Sequence, residues 1–177
     1  MIERRYTNPG DVSQIDVATI TAATATIDVA AYSLTHQAVI TALIQRAQAG
    51  VKIRLYLDRT ELEAEARGNP QISNSPLGPL LSTVNVQTKV KESVILMHLK
   101  SYLVDGSTLR DGSANFSPGG EIQQDNSLTV TDDTPACAAF LSKFETMWAR
   151  PDNLTVAQAV QPRSTGASRA FHPASRH

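Results

Sequence analysis

Hydrophobic and polar positions follow two different periods along the chain. The segment 36–48 has apolar residues at helical spacing, which gives it one apolar face. Runs rich in β-branched and aromatic residues lie on either side of it, at 25–33 and 51–58. A strand, a helix and a second strand in this order predict a βαβ-like unit in the first half of the chain.

The second half continues the strand pattern with short apolar runs separated by turn residues. Strands are predicted near 84–90, 98–104, 109–115 and 126–131, and helices near 11–23 and 134–149. Residues 59–83 contain Gly68-Asn69-Pro70 and Pro76-Leu77-Gly78-Pro79, which predict a loop-rich excursion beside the substrate groove. The whole pattern predicts an α/β fold with a mixed β-sheet flanked by helices on both faces.

Length and composition fit one domain. The chain has 177 residues and 41% hydrophobic content, which is enough for one full core. We expect a catalytic domain over 1–150. Residues 151–177 are rich in Ser, Pro, Ala and Arg without apolar periodicity, and we expect a flexible tail there. The single cysteine, Cys137, is expected in the core and excludes an internal disulfide framework.

Charge and hydropathy narrow the location and partners only a little. The chain has 16 Lys and Arg against 17 Asp and Glu, so it is not a general polyanion binder. A basic groove could still form locally from Lys89, Lys91, Arg59, Arg67 and Arg110. No apolar run is long enough for a transmembrane helix, and the charged first residues lack a signal-peptide core. The default expectation is the cytoplasm, unless a leader has been removed.

The segment from His98 to Asp125 carries the chemistry. His98 and Lys100 share one face of the predicted strand, because side chains alternate with period two. Asp105-Gly106-Ser107 is a turn pattern that returns the chain. With a two-residue Gly106-Ser107 loop, Lys100 lies opposite Ser113 and His98 opposite Asn115; an Asp105-Gly106 loop changes the partners but keeps the parity. One surface then combines an imidazole, an ammonium, a hydroxyl and a carboxamide, which is a set suited to a phosphate.

The same segment resembles the signature of the phospholipase D superfamily, H-x-K-x4-D-x6-G-S-x-N. It has every named residue of that signature: His98, Lys100, Asp105, Gly112, Ser113 and Asn115. The resemblance extends more loosely over residues 5–150. Because the motif occurs once, the chain looks most like the single-motif Nuc-type endonucleases. That resemblance implies a phospholipase D-like domain that works as a homodimer.

The resemblance also implies a role for each motif residue. His98 matches the nucleophile that forms a phosphohistidine, Lys100 and Asn115 match the groups that hold phosphate oxygens, and Ser113 matches the small polar residue beneath them. Relatives usually have a Glu shortly afterwards, hydrogen-bonded to the histidine ring. Asp125 and Glu121 are the two candidates for that role here.

Two acidic residues of the segment have simpler interpretations. Asp105 is expected to be mainly structural, because a hairpin turn favours Asp for local backbone hydrogen bonds. Asp111 is expected on the same face of the strand as Ser113. It has no functional interpretation beyond pairing with Arg110 or Lys100.

The number of histidines predicts the mechanism. A phosphodiester needs a nucleophile on phosphorus and an acid on the leaving oxygen, and one imidazole cannot be both in the same step. A two-fold partner would bring a second His98 to the site. The two imidazoles must then have different protonation states, which predicts a bell-shaped pH profile.

No metal or other cofactor is expected, because the sequence contains no His-x-x-x-His pair, carboxylate cluster or Gly-rich phosphate loop. The leading hypothesis is a metal-independent nuclease acting on single-stranded DNA or RNA. The alternatives are a phospholipase acting on a phosphatidyl or cardiolipin-like headgroup, and a nucleic-acid-binding dimer with weak catalysis. The lipid hypothesis requires exposed apolar residues beside the groove, and an aromatic content of 5% does not indicate them.

Overall fold

The computed structural model describes residues 2–7, 10–66, 72, 75–92 and 95–161. Seven strands form one sheet in the order β1-β7-β6-β5-β2-β3-β4. The strands are β1 (Ile2–Tyr6), β2 (Thr26–Ala31), β3 (Lys52–Asp58), β4 (Val86–Lys91), β5 (Lys100–Val104), β6 (Thr108–Gly112) and β7 (Ser127–Thr131). The helices are α1 (Ser13–Thr21), α2 (Gln37–Gln48), α3 (Arg59–Glu65), α4 (Leu77–Leu81), α5 (Thr134–Trp148) and α6 (Val156–Ala159), and a π-helical turn spans Gly119–Gln123.

The sheet is mixed, and its topology determines which strand ends meet. β2, β3 and β4 are parallel, whereas β5, β6, β7 and β1 continue the sheet in antiparallel fashion. Because β5 is antiparallel to β2, Lys100 at the start of β5 pairs with Ala31 at the end of β2. The motif therefore lies at the end of the sheet that holds the C-terminal ends of the parallel strands.

Helices cover both faces of the sheet, as the sequence predicted. On one face Ile27, Val29 and Leu55 pack against α1 and α2 in the larger core cluster. On the other face Tyr56 and Leu103 pack against Cys137, Phe140 and Phe144 of α5. Alternation along each strand divides the side chains between these two cores. The core position of Cys137, at 3% exposure, is thereby confirmed.

Three segments differ from the prediction. The 59–83 excursion contains α3 and α4, and the Asp58 side chain caps α3 by accepting from the amides of Thr60 and Glu61. The strand β1 was not predicted, because its sequence is mostly polar. The expected flexible tail is ordered at its start: Leu154 exchanges two 2.9 Å backbone hydrogen bonds with Val90, and Ala159 is buried. The rest of that tail, 162–177, lies outside the described residues.

The hairpin between β5 and β6 also differs from both predicted loops. Asp105 and Gly106 both have positive φ, 50° and 68°, and Val104 pairs with Thr108 across a three-residue turn. The extra residue shifts the register by one, so Lys100 is level with Gly112 and not with Ser113. The predicted pairs of Lys100 with Ser113 and of His98 with Asn115 are therefore wrong.

Of the helices within the described ranges, none is long and apolar enough to span a membrane.

Candidate active site

His98 lies at the surface beside a buried lysine and a tyrosine. The His98 side chain is exposed just before β5, and Lys100, the first residue of that strand, is only 5% exposed. The Tyr32 ring, directly after β2, lies 4.6 Å from the His98 ring between centroids. The Lys100 amine lies 4.7 Å from the centroid of the same Tyr32 ring. Tyr32 therefore contacts both motif side chains, although it lies outside the sequence motif and was not predicted as a site residue.

The Lys100 amine is held at the backbone of the histidine. Its Nζ donates to the His98 carbonyl oxygen at 2.6 Å. The pKa of Lys100 is lowered to about 8, first by burial and then by the charge of Arg110. The carboxylates of Glu61 and Asp58 oppose this change. At neutral pH the amine remains mainly cationic, so a positive charge lies next to the exposed imidazole.

Ser113 is held by Asn126, the residue directly after the predicted carboxylate Asp125. Its Oγ donates to Asn126 Oδ1 at 2.9 Å and accepts from the Ser127 amide at 3.0 Å. Asn126 Nδ2 in turn donates to the Gly120 carbonyl at 2.9 Å. Asn126 was not a predicted site residue, because a carboxylate was expected in this part of the chain.

Asn115 is packed tightly against the π-helical turn. A Cβ added at Gly120 would lie 2.5 Å from the Asn115 carbonyl oxygen, so only glycine fits there. The Asn115 Oδ1 atom is buried and has no hydrogen-bond partner within the described part of the chain. A buried acceptor without a partner is unfavourable and marks this side chain as one that a ligand or neighbouring molecule could satisfy.

The two carboxylate candidates lie in different surroundings. Asp125 is exposed and, with Ser113, Asn126 and Ser127, lines a surface cavity of about 330 Å³. Glu121 is completely buried, and neither of its oxygens has a hydrogen-bond partner among the described residues. Burial, with the nearby charge of Asp16, raises the pKa of Glu121 to about 8. Glu121 is therefore neutral at pH 7 and does not hydrogen-bond the His98 ring of its own chain.

The two other acidic residues of the motif face away from this surface. Asp105 accepts 2.8 Å hydrogen bonds from the amides of Thr24, Ala25 and Thr26, which lower its pKa to about 2 against the effect of burial. These bonds connect the hairpin to the start of β2, so they are not the local turn bonds that we expected. Asp111 accepts from Ser101 Oγ at 2.7 Å on the face of α5.

Gly112 has a positive φ of 153° and ends β6. A Cβ there would lie 2.2 Å from the Ser127 carbonyl oxygen, and this same carbonyl accepts from the amides of Ser113 and Ala114. The glycine therefore allows the close approach of β7 that holds Ser113.

The residues expected to form a basic groove lie in different surroundings. Arg110 is fully buried, so it is not a groove residue. Arg67 lies outside the described residues. Lys91 donates to the Leu96 carbonyl at 3.2 Å. Burial lowers its pKa, the charges of Arg150 and Lys143 lower it as well, and the carboxylates of Asp58 and Asp152 oppose this change. This basic cluster, defined as Lys91, Lys143 and Arg150, is linked through Leu96 to the loop before His98.

Exposed apolar residues lie on that same loop. Ile95 is 73% exposed and Leu96 is 44% exposed, three and two residues before His98 respectively. The low aromatic content of the sequence did not indicate this patch, because Ile95 and Leu96 are aliphatic.

Comparison with known proteins identifies the family. The family model described as "Cardiolipin synthase, PLD-like domain" matches residues 17–148. The chain is 29% identical over 103 residues, 58% of its length, to a mitochondrial cardiolipin hydrolase of Xenopus tropicalis. It spans about half the length of the curated relatives it matches, 45% in that case.

Two solved structures share the fold. One is the phospholipase D family member Nuc from Salmonella typhimurium, with a TM-score of 0.73, 18% identity and coverage of 87% of this chain and 97% of that one. The other is NucT from Helicobacter pylori, with a TM-score of 0.69, 20% identity and coverage of 84% and 96%. The chain belongs to the phospholipase D-like family.

Proposed function

We propose that this protein is a phosphodiesterase that forms a covalent phosphohistidine through His98. The observation that carries the proposal is the exposed imidazole of His98 beside the buried Lys100 ammonium, whose Nζ lies 2.6 Å from the His98 carbonyl. Such a pair offers a nucleophile to phosphorus and a fixed positive charge to the phosphate oxygens. Asn115, with its unpartnered Oδ1, and Ser113 complete the set.

The proposed reaction has two displacements at phosphorus. In the first, a neutral His98 nitrogen forms a P–N bond while the bond to the leaving oxygen breaks, and a protonated imidazole donates its proton to that oxygen. In the second, the imidazole that donated the proton is neutral and takes a proton from water. The hydroxide oxygen then bonds to phosphorus, the P–N bond breaks, and His98 is released.

We propose that a two-fold partner supplies the second imidazole. The chain has four histidines, of which His172 and His177 lie outside the described residues. His36 is the N-cap residue of α2, and its backbone amide donates to the Phe116 carbonyl at 2.9 Å. A two-fold axis through the site would bring the partner's His98 next to His98, so the second imidazole comes from the same residue of an identical chain.

Mixed dimers test this arrangement. Excess His98→Ala protein added to a fixed amount of wild-type protein should suppress the activity beyond simple dilution, because each mixed dimer lacks one imidazole. The shared site would be contradicted if the wild-type activity fell only in proportion to dilution and the protein sedimented as a monomer.

Nucleic acid is the proposed substrate class. The basic cluster of Lys91, Lys143 and Arg150 favours an extended polyanion beside the site, because phosphate contacts dominate such binding. The exposed position of His98 at the surface allows a single strand to reach it. A phosphodiester lipid is the second candidate, favoured by the exposed Ile95 and Leu96 and by the names of the curated relatives.

One set of assays separates these substrates. The purified protein is incubated in EDTA with single-stranded DNA, RNA, duplex DNA and cardiolipin vesicles, with His98→Ala as the inactive variant. Lys52→Ala is the matched control, because Lys52 is exposed at the opposite end of the sheet. Single-strand cleavage lost in Lys91→Gln/Lys143→Gln supports the nuclease. Lipid turnover alone, lost in Ile95→Ser/Leu96→Ser, would replace it with the lipid hydrolase, and unchanged activity in His98→Ala would refute the site.

A further inference from the structure

The Arg110 guanidinium connects three separate segments beneath the candidate site. Arg110 is completely buried, at 0% exposure. Its Nε and Nη2 donate to the two carboxylate oxygens of Asp16 in α1, at 3.1 and 3.0 Å. Its Nη1 donates to the carbonyl of Lys100 at 2.6 Å and to the carbonyl of Ala114 at 3.0 Å. Tyr102 completes the pair by donating to Asp16 at 2.8 Å.

These contacts lie where the backbone pairing of the sheet ends. The last residue pair between β5 and β6 is Tyr102 with Arg110, and β6 ends two residues later at Gly112. Beyond that pair, the segments 98–101 and 113–116 are joined by the Arg110 side chain and not by a β-ladder. One nitrogen holds the carbonyl of Lys100 and the carbonyl of Ala114, the residue before Asn115. Each segment is also held by the backbone after β2, since the Tyr32 amide donates to Leu99 and the Thr35 amide to Phe116. The guanidinium adds a direct connection between the backbone at Lys100 and the backbone next to Asn115.

We propose that Arg110 is a positioning residue that holds Lys100 and Asn115 at the spacing needed to bind one phosphate. This inference rests on the proposed function. Only arginine has enough donors in a planar fork to bind both oxygens of Asp16 and two carbonyls at once. A lysine at this position keeps the charge opposite Asp16 and loses the connection between the two segments.

The test compares Arg110→Lys with Arg54→Lys. Arg54 also binds both oxygens of one aspartate, Asp28, at 2.6 and 2.7 Å, but it lies on the face of α5 away from the motif. We expect kcat to fall on the order of a hundredfold in Arg110→Lys with little change in KM, because small displacements of catalytic groups cost that much. Arg54→Lys should retain kcat even where its thermal stability falls.

Hydrogen exchange measured by mass spectrometry gives a second readout that does not need turnover. Arg110→Lys should exchange faster within 98–101 and 113–116, with the rest of the sheet unchanged. Uniform acceleration across the sheet, as a general loss of stability would give, or unchanged exchange with normal kcat would overturn the positioning role. If wild-type protein cleaves none of the substrates, the proposed function fails, and the exchange pattern still decides the role of Arg110.

A second variant covers the case in which Arg110→Lys does not fold. Asp16→Asn/Arg110→Gln removes both charges together, so no single buried charge is left without its partner. The same kinetic and exchange results are expected from it. If this neutral pair also fails to fold, Arg110 belongs to the core alone and the proposal is overturned.

Discussion

Replacing Glu121 by glutamine removes an ionisable group from the protein interior, and its effect on stability should depend on pH. The Glu121 side chain is fully buried on the π-helical turn Gly119–Gln123, and neither oxygen has a hydrogen-bond partner among the residues the structure describes. Its pKa is raised from 4.5 to about 8, first by burial and then by the charge of Asp16, against the opposing charge of Arg110. The folded protein therefore keeps this carboxyl neutral where the unfolded chain ionises it.

The sign and the size of the effect follow from this difference. A group whose pKa is higher in the folded state stabilises fully below its unfolded pKa, and this contribution is lost as pH rises through the folded pKa. Each pKa unit corresponds to about 1.4 kcal/mol, so the loss is about 1 kcal/mol at pH 5 and about 3 kcal/mol at pH 7. Glu121→Gln does not ionise in either state. Its stability relative to the wild type should therefore increase by about 2 kcal/mol between these pH values.

Thermal unfolding at pH 5, 6 and 7 measures this change. At roughly 2–4 °C per kcal/mol for a chain of this size, the Tm of Glu121→Gln relative to wild type should rise by about 4–8 °C from pH 5 to pH 7. Protein concentration is held constant, because association would make Tm depend on it. Glu92→Gln is the matched control, since Glu92 is exposed. A Tm difference for Glu121→Gln that is the same at pH 5 and pH 7 would refute the argument.

Three further predictions concern the site and its support. Gly120→Ala should displace Asn115 and abolish activity, because the new Cβ would lie 2.5 Å from the Asn115 carbonyl oxygen, whereas Gly119→Ala meets only a side chain at 3.7 Å and should remain active in the same assay. Activity should fall as pH rises through about 8, because Lys100 then loses its proton, and this alkaline limb should be absent from the residual activity of Lys100→Arg; a limb that persists there has another origin. Asp105→Asn should destabilise the protein by about 2 kcal/mol in urea unfolding at pH 7, by loss of charged hydrogen bonds. That difference should shrink as pH falls through about 2 and the wild-type carboxylate becomes protonated, and a constant difference would argue against the ionic bonds.

Local periodicity was sufficient for most elements of the fold. The helix Gln37–Gln48 and the strand Lys52–Asp58 lie within the predicted ranges, because an apolar stripe or a β-branched run is encoded by residues near each other in sequence. The strand Ile2–Tyr6 was missed because it is exposed at the sheet edge and has little apolar content. The segment 151–161 was assigned to a flexible tail because its anchors, among them Asn153 and Leu154, contact parts of the chain that are distant in sequence.

The candidate site divides in the same way. The sequence alone determined the family resemblance and the order of its functional groups, because the motif is a contiguous pattern from His98 to Asn115. The tertiary structure decided the register of the hairpin, since Asp105 and Gly106 both take positive φ and the turn has one more residue than predicted.

Burial is the remaining property that only the tertiary structure decided. Arg110 was expected at a basic surface and is fully buried against Asp16, whereas Glu121 was expected beside His98 and is buried without a hydrogen-bond partner among the described residues. The linear sequence around a charged residue does not show whether its side chain will be exposed or buried. Its pKa and its partners depend on which distant segments exclude water around it, and packing in three dimensions determines those segments.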